Sequence, residues 1–256
     1  MPIAAICGKG GAGKTTVAAL LVEALLRAGA GSPAAPLLVV DGDPASTLHF
    51  GLGLPAPPHT LADFQREVAA TTRSRSRREP TSIQALLDQL QVVMLARPEL
   101  HLLSMGQSEG PGCYCAINAG LGAVLPVLLH KYRWVVLDNE AGVEHLSRVR
   151  VAHVDFLLVL TTPAPSYQAV AQRIVDTARQ VGMTWEAAGL VVNRATDLPT
   201  QVTVQGLPVW ATLPEEPRLA ELEQRGEPAV HLPPDTPIRQ ALATLAEQML
   251  RGVVCA

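Results

Sequence analysis

The loop between the first predicted strand and the first predicted helix constrains this chain most. Residues 8–16 read Gly-Lys-Gly-Gly-Ala-Gly-Lys-Thr-Thr, between an apolar run from Ile3 to Cys7 and a helical run from Val17 to Ala28. The pattern G-x-x-x-x-G-K-[ST] is matched by Gly8, Gly13, Lys14 and Thr15. Backbone N–H groups of such a loop, at a helix N-terminus, surround nucleotide phosphates. We therefore predict a phosphate-binding loop rather than an ordinary glycine-rich turn.

Each residue type in this loop suits the chemistry of a magnesium nucleotide. Glycines let the backbone approach phosphate oxygens closely, with φ values that a Cβ would forbid. Lys14 is expected to reach the β- and γ-phosphates, and the Thr15 hydroxyl to ligate Mg²⁺. The predicted nucleotide contacts in the loop are Gly8, Lys9, Gly10, Gly11, Ala12, Gly13, Lys14, Thr15 and Thr16.

Lys9 adds a second cation directly after the first glycine. This loop resembles that of the MinD/ParA/nitrogenase-iron-protein group of ATPases, which carry a deviant Walker A motif. The resemblance implies an α/β fold with a doubly wound, mostly parallel sheet flanked by helices. It also implies a homodimer in which Lys9 reaches the partner's nucleotide, as an arginine finger does. The alternative is a solvated surface lysine.

Length and composition indicate one domain spanning residues 1–256, with an insertion around 55–98 that is a candidate for mobility. No uncharged apolar run reaches the roughly 18 residues of a membrane span, and no signal peptide is recognisable, so we expect a cytoplasmic protein without a membrane partner. The net charge of −3 argues against nucleic-acid binding. The arginine-rich run 71–79 is expected to be a solvated loop. The alternative is a surface that binds an acidic partner.

Carboxylates follow two further predicted strands. The apolar run Leu37 to Val40 ends at Asp41 and Asp43, and the run Trp134 to Leu137 ends at Asp138. The carboxyl ends of parallel strands form the binding edge of such sheets. Asp138 stands at the usual position for a carboxylate near Mg²⁺. By resemblance, Asp43 orients the attacking water and Asp41 lies nearer the Mg²⁺ shell, although each could instead cap the following turn.

Later segments complete the predicted nucleotide site. Strands are predicted at Phe156 to Leu160, Leu190 to Val192 and Pro208 to Leu213, and helices at Ser166 to Val181 and from Thr236, as cap, to Gly252. By resemblance, Asn193 reads the adenine base and Arg194 lies beside it, and the segment 214–216 is close to the base. The alternative for Asn193 is a turn residue. Gly142 would let the backbone approach the γ-phosphate.

Cys113 and Cys115 form a Cys-x-Cys pair within Gly-Cys-Tyr-Cys-Ala-Ile-Asn at 112–118. In an extended segment both thiols project to the same side and could grip one soft cation, but two thiolates do not fill a four-coordinate shell. A two-fold dimer would supply the second pair. The alternatives are a disulfide or two core thiols. Neither Cys7 nor Cys255 is an obvious additional ligand.

The cysteine motif, together with Asp-Asn-Glu-Ala-Gly-Val-Glu-His-Leu-Ser-Arg at 138–148, resembles the CooC-type accessory ATPases of carbon monoxide dehydrogenase. The resemblance implies hydrolysis of ATP to ADP and phosphate, with bound ATP, ADP, Mg²⁺ and nickel, and carbon monoxide dehydrogenase as client. Zinc is possible at the same thiolates. An alternative is a [4Fe–4S] protein related to nitrogenase iron protein. A ParA-like role on DNA or membranes would need a basic face or an amphipathic terminal helix, and the C-terminal helix offers Arg239 and Arg251 but few other cations.

Overall fold

A computed structural model describes residues 1–63, 66, 94–107, 131–139, 152–195 and 202–252. Its centre is an eight-stranded sheet with the order β3-β4-β2-β5-β1-β6-β7-β8. The strands are β1 (Ile3–Gly8), β2 (Leu37–Asp41), β3 (Leu95–Arg97), β4 (Leu100–Ser104), β5 (Trp134–Asp138), β6 (His153–Thr161), β7 (Thr184–Ala195) and β8 (Val209–Pro214). Neighbouring strands run parallel except at the β3–β4 edge, which is antiparallel. The predicted doubly wound, mostly parallel sheet is confirmed.

Helices cover both faces of this sheet. Those described are α1 (Lys14–Arg27), α2 (Leu48–Gly51), α3 (Pro165–Gln180), α4 (Pro217–Gln224) and α5 (Pro237–Arg251), with a 3₁₀ turn at Ala229–His231. One core cluster packs α1 and α5 on one face, and a second packs α3 on the other. Because both faces are covered, central strands such as β2 and β5 are buried along their whole length, which explains their continuous apolar runs.

In the sheet, β1 is the strand from which later strands are added on both sides. From β1 the chain adds β2 on one side, with β5 later inserted between them, and β6 on the other side. Crevices at such switch points, beyond the carboxyl ends of the strands, are where ligands bind in open α/β sheets. The glycine loop after β1 therefore occupies the expected binding position.

The structure differs from the sequence-based expectations at three elements. β3 lies at the end of the segment treated as an insertion, and pairs with β4. β7 begins at Thr184, well before the predicted Leu190, because its first residues pair with β6 despite their polarity. Thr236 occupies the N-cap position of α5, but its hydroxyl donates to the Pro233 carbonyl at 2.8 Å and makes no cap hydrogen bond.

Candidate nucleotide site

The glycine loop has a backbone conformation that residues with a side chain rarely adopt. Gly11 and Gly13 have φ values of +79° and +88°, in the left-handed region where a Cβ is strained. Gly8 lies against β6, since a Cβ there would be 2.6 Å from the Leu160 carbonyl oxygen. Gly11 and Gly13 are thus needed for their conformation, and Gly8 is needed for its close approach to β6.

The loop delivers the N-terminus of α1 to the sheet edge. Gly13 is the N-cap residue, and its carbonyl accepts the Val17 N–H at 2.9 Å. N–H groups in the first turn of a helix lack intrahelical partners and carry partial positive charge. That turn contains no acidic side chain, and Lys14 begins it. The arrangement is suited to a phosphate group.

Lys14 is folded back over the loop. Its Nζ donates to the Lys9 backbone carbonyl at 3.4 Å, so the ammonium lies above the loop interior. Phosphate oxygens entering the loop would compete for that ammonium, and an anionic acceptor binds it more strongly than a carbonyl. Lys14 is therefore placed to contact phosphate.

Asp138, at the end of β5, carries a buried carboxylate without a hydrogen-bond partner among the described residues. It is 1% exposed, and both Oδ1 and Oδ2 are orphaned. Burial raises the pKa of Asp138 to about 7 and the Asp41 charge adds to the rise, whereas the Lys14 charge and the nearby Thr15 hydroxyl, which favours the carboxylate from outside full hydrogen-bond geometry, oppose it. Since orphaned buried oxygens are costly, this carboxylate fits a cation or its water shell. Asp138 and Thr15 are the residues that would hold Mg²⁺.

Both carboxylate oxygens of Asp41, in contrast, accept hydrogen bonds from backbone N–H groups. Its Oδ1 accepts from Asp43 N at 3.2 Å, and its Oδ2 accepts from Leu48 N, the first residue of α2, at 3.0 Å. Burial still raises the pKa of Asp41 to about 6, with those two backbone bonds opposing the rise. Of the two roles left open by the sequence, the geometry favours the turn cap.

Asp43 lies beyond Asp41 on a partly exposed turn. Its Oδ1 accepts from Ala45 N at 2.9 Å, so this carboxylate closes its own turn. A single backbone hydrogen bond to one oxygen leaves acceptor capacity on the carboxylate. Both readings of Asp43, a turn cap and a water-orienting group, are compatible with this position.

A cavity of about 570 Å³ extends from the loop to the far edge of the sheet. Its walls come from α1, α2, β7, β8 and the segment around α4. They include Gly13, Thr15, Thr16, Phe50, Gly51, Asn193, Arg194, Pro214, Glu215, Glu216 and Leu219. The structure therefore brings the phosphate loop together around one cavity with Asn193, Arg194 and residues 214–216, the residues that the sequence analysis assigns to the base.

Asn193 has a second contact that the sequence did not reveal. Its Nδ2 donates to the Ala12 carbonyl at 2.8 Å, and a Cβ on Gly13 would be 2.6 Å from the same nitrogen. The buried amide thus joins β7 to the phosphate loop. The next residue, Arg194, has a φ of +54°, an uncommon value for a non-glycine residue at a cavity wall.

Two further residues shape the site and were missed by sequence reasoning. The buried Asn139 donates through Nδ2 to the Ile6 carbonyl at 3.1 Å and so ties the end of β5 to β1. Gly42 donates its N–H to the Asp138 carbonyl at 2.8 Å, and a Cβ there would also be 2.8 Å from that oxygen. A polar residue or glycine directly after a buried strand was the available signal.

The predicted thiolate site lies outside the described residues, as does Gly142. Cys113 and Cys115 fall in the range 108–130, and Gly142 falls in 140–151. Within the described part of the chain, no group of three His, Cys, Asp or Glu side chains could hold a metal. Cys7 is a buried free thiol, and burial raises its pKa to about 12, which disfavours the thiolate a metal requires.

Comparison with known protein families shows which family this chain belongs to. Residues 3–229 match the CobQ/CobB/MinD/ParA nucleotide-binding domain. The chain belongs to this family. Membership agrees with the loop at the end of β1 and with the cavity beside it, and a nucleotide-binding ATPase domain is the function that the family shares.

Relatives of this MinD/ParA-family chain match it over most of its length. An uncharacterized ATP-binding protein of Methanocaldococcus jannaschii is 30% identical, over 97% of this chain and 98% of its own. The carbon monoxide dehydrogenase accessory protein CooC of Rhodospirillum rubrum is 28% identical, over 70% of each chain. The septum site-determining protein MinD of Pyrococcus horikoshii, complexed with Mg-ADP, has a TM-score of 0.70 at 24% identity, covering 99% and 98%.

None of the helices in the described residues is sufficiently long and apolar to cross a membrane.

The helix α5 carries less surface charge than its sequence suggests. Arg239 is 7% exposed and donates from Nη1 to the Val230 and Leu232 carbonyls at 2.8 and 3.0 Å. This guanidinium braces the cavity wall.

Proposed function

We propose that this family member is a Mg²⁺-dependent ATPase that hydrolyses ATP to ADP and phosphate. One observation carries the proposal: the buried Asp138 carboxylate, without a hydrogen-bond partner among the described residues, lies near Lys14 and Thr15 of the loop. A cation site adjoining a phosphate site is the arrangement that a magnesium nucleotide requires. Asn193 and Arg194 contact the base from the cavity wall that adjoins the loop.

Each residue of the site has a distinct role in this proposal. Residues 8–16 enclose the phosphates, Lys14 neutralises the β/γ charge, and Thr15 ligates Mg²⁺ with Asp138 in its outer shell. Asp43 orients the attacking water, for which its exposed turn beyond β2 is suitably placed. Gly142 brings backbone to the γ-phosphate.

The active form is a homodimer closed by ATP, with Lys9 stabilising charge on the partner's nucleotide. Lys9 supports this role by its place on a loop whose tip, Gly10 and Gly11, is exposed. With the described residues alone present, Gly10 and Gly11 remain exposed, so the tip is accessible to a second copy. A cation supplied in trans couples hydrolysis to dimerisation.

A finer proposal concerns a metal cargo. Cys113 and Cys115 bind nickel, or zinc at the same thiolates, at the two-fold axis of the dimer, and ATP binding controls the site. The protein then assists insertion of nickel into carbon monoxide dehydrogenase in the cytoplasm. The support is the Cys-x-Cys motif itself and the similarity to a CooC protein. An iron–sulfur role would show instead as broad visible absorption after anaerobic purification.

Two lysine variants test the ATPase proposal. Lys14→Ala removes a cation from direct phosphate contact and should abolish tight Mg-ATP binding, measured by calorimetry. Lys9→Ala should keep monomer binding and lose ATP-dependent dimerisation and turnover, measured by sedimentation and phosphate release. Parental dimerisation and hydrolysis by Lys9→Ala would refute the trans-acting role, and tight binding by Lys14→Ala would refute the phosphate site.

A further inference from the structure

Lys9 is not a free surface cation in the single chain. Its Nζ donates to the Ser166 hydroxyl at 3.4 Å and lies 4.3 Å from the centre of the Tyr167 ring. Both partners come from the first turn of α3, more than 150 positions away in the sequence. An ammonium over an aromatic face within about 6 Å is attracted by the ring quadrupole.

The ring that receives Lys9 is held in place by other contacts. Tyr167 packs at the edge of the core cluster beneath α1, and its backbone N–H donates to the Ala164 carbonyl at 2.9 Å. Its hydroxyl lies close to the loop, since a Cβ on Gly11 would be 3.2 Å from that oxygen. Ser166 and Tyr167 therefore form a fixed platform beside the loop tip.

The contact is weak enough to be reversible. In the described part of the chain Lys9 makes no ion pair with a carboxylate, and its bond to Ser166 is long and exposed. Cation–π contacts at exposed sites change an equilibrium by about two- to fivefold. The phosphates of a nucleotide offer the same ammonium a far stronger partner.

We propose that Ser166 and Tyr167 form a docking platform that holds Lys9 within its own protomer and releases it when ATP closes the dimer. The proposal rests on the trans-acting role of Lys9. One ammonium cannot lie over its own Tyr167 ring and contact the partner's phosphates at once, so docking and dimer closure compete. Tyr167 is then a positioning residue that sets how readily the dimer forms.

The two-fold symmetry doubles the effect of the platform. Each closed dimer requires two Lys9 side chains to leave their platforms, so the dimerisation constant changes by the square of the change per protomer. Removing the ring should therefore tighten dimerisation roughly 5- to 25-fold. Retaining the ring without its hydroxyl should leave dimerisation close to the parental value.

The test compares Tyr167→Leu with Tyr167→Phe in the full chain. Dimer dissociation constants are measured by sedimentation with Mg²⁺ and a non-hydrolysable ATP analogue. Tyr167→Leu should dimerise more tightly than the parent, and Ser166→Ala should shift in the same direction by less. Because Lys9→Ala should no longer dimerise, adding Tyr167→Leu to it should not restore dimerisation, whereas a ring that opposes closure independently of Lys9 would restore part of it when removed.

A spectroscopic measurement keeps the proposal testable if Tyr167→Leu folds poorly. In the parent protein without nucleotide, the ring face should shift the Lys9 ε-methylene proton resonances upfield, and the Mg-analogue should remove that shift. A shift that persists in the closed dimer would overturn the platform.

Failure of the platform and failure of the proposed function are distinguishable. If Lys9→Ala loses dimerisation while Tyr167→Leu dimerises as the parent or more weakly, the platform is wrong and the trans role stands. If Lys9→Ala itself dimerises as the parent, the trans role and the platform that depends on it are both wrong.

Discussion

Asp41 and Asp138 lie side by side, as paired residues at the carboxyl ends of the adjacent parallel strands β2 and β5. Both are buried, 0% and 1% exposed, yet only Asp41 has hydrogen-bond partners within the described residues. Burial raises the pKa of Asp41 to about 6 and that of Asp138 to about 7, and the Asp41 charge adds to the rise at Asp138. Two carboxylates held this way store an electrostatic cost that a cation relieves.

The first prediction is that stability without nucleotide or Mg²⁺ falls as pH rises from about 4 to about 7. A carboxyl group with a raised folded-state pKa binds its proton more tightly when folded. Its stabilising contribution is therefore present below the unfolded pKa and is lost as pH rises through the folded pKa. Urea unfolding at pH 5 and pH 8 measures this. Asp138→Asn should be more stable than the parent at pH 8, by roughly 1–3 kcal/mol, and equal stability would contradict the assignment.

Asn193 leads to a prediction that separates base recognition from loop positioning. Asn193→Ala removes the hydrogen bond to the Ala12 carbonyl, so we expect roughly tenfold weaker Mg-ADP binding. If the amide positions the loop, binding of Mg-tripolyphosphate, which has no base, should weaken as well. Calorimetry with both ligands gives the answer. Unchanged tripolyphosphate binding beside weakened Mg-ADP binding would assign Asn193 to the base alone.

Asp43→Ala should separate binding from chemistry. A water-orienting carboxylate contributes to the transition state more than to ground-state affinity. Hydrolysis should therefore stop while Mg-ATP remains bound and the closed dimer accumulates. Single-turnover phosphate release and sedimentation measure the two effects. Parental turnover would transfer the role to Asp138 or another group and leave Asp43 as a turn cap.

Gly189 on β7 is expected to tolerate no side chain. A Cβ there would lie 2.2 Å from the Trp210 ring, which also contacts Phe156 edge-on with centroids 6.4 Å apart. Gly189→Ala should lower the free energy of unfolding by about 1–3 kcal/mol, as overpacking does. Trp210→Leu in the same chain should recover part of the loss. An unaffected Gly189→Ala variant would show that the ring moves aside freely.

The sheet and the phosphate loop were predictable because their signals are local. Buried parallel strands such as β2 are continuous apolar runs, and the loop's glycines are dictated by φ and close approach. The strand β3 was not predicted because a three-residue strand that contains Arg97 has no such apolar run. The first residues of β7 were not predicted as a strand, because they are in a strand through their pairing with β6 and not through an apolar pattern of their own.

The unpredicted parts of the site are contacts between residues far apart in the chain. Asn193 meets Ala12 across 181 positions, and Lys9 meets Ser166 across 157. No periodicity or motif encodes such pairs, since the sheet order alone brings them together. Asp41 illustrates a further limit, because a carboxylate after a strand suits a magnesium shell and a turn cap equally until its backbone partners are seen.

The most direct test of the nucleotide-controlled metal site, the claim that joins the proposed ATPase to its cargo, is the number of nickel ions bound per chain with and without ATP. In the proposed dimer, two protomers would offer two nucleotide sites but one four-thiolate site, so the ATP-closed form should bind half an ion per chain. Cys113→Ser or Cys115→Ser should remove that ion, whereas Cys7→Ser, at a buried position, and Cys255→Ser should leave the count unchanged. Binding should release protons and weaken as pH falls. One ion per chain that survives Cys113→Ser would contradict the shared, nucleotide-controlled site.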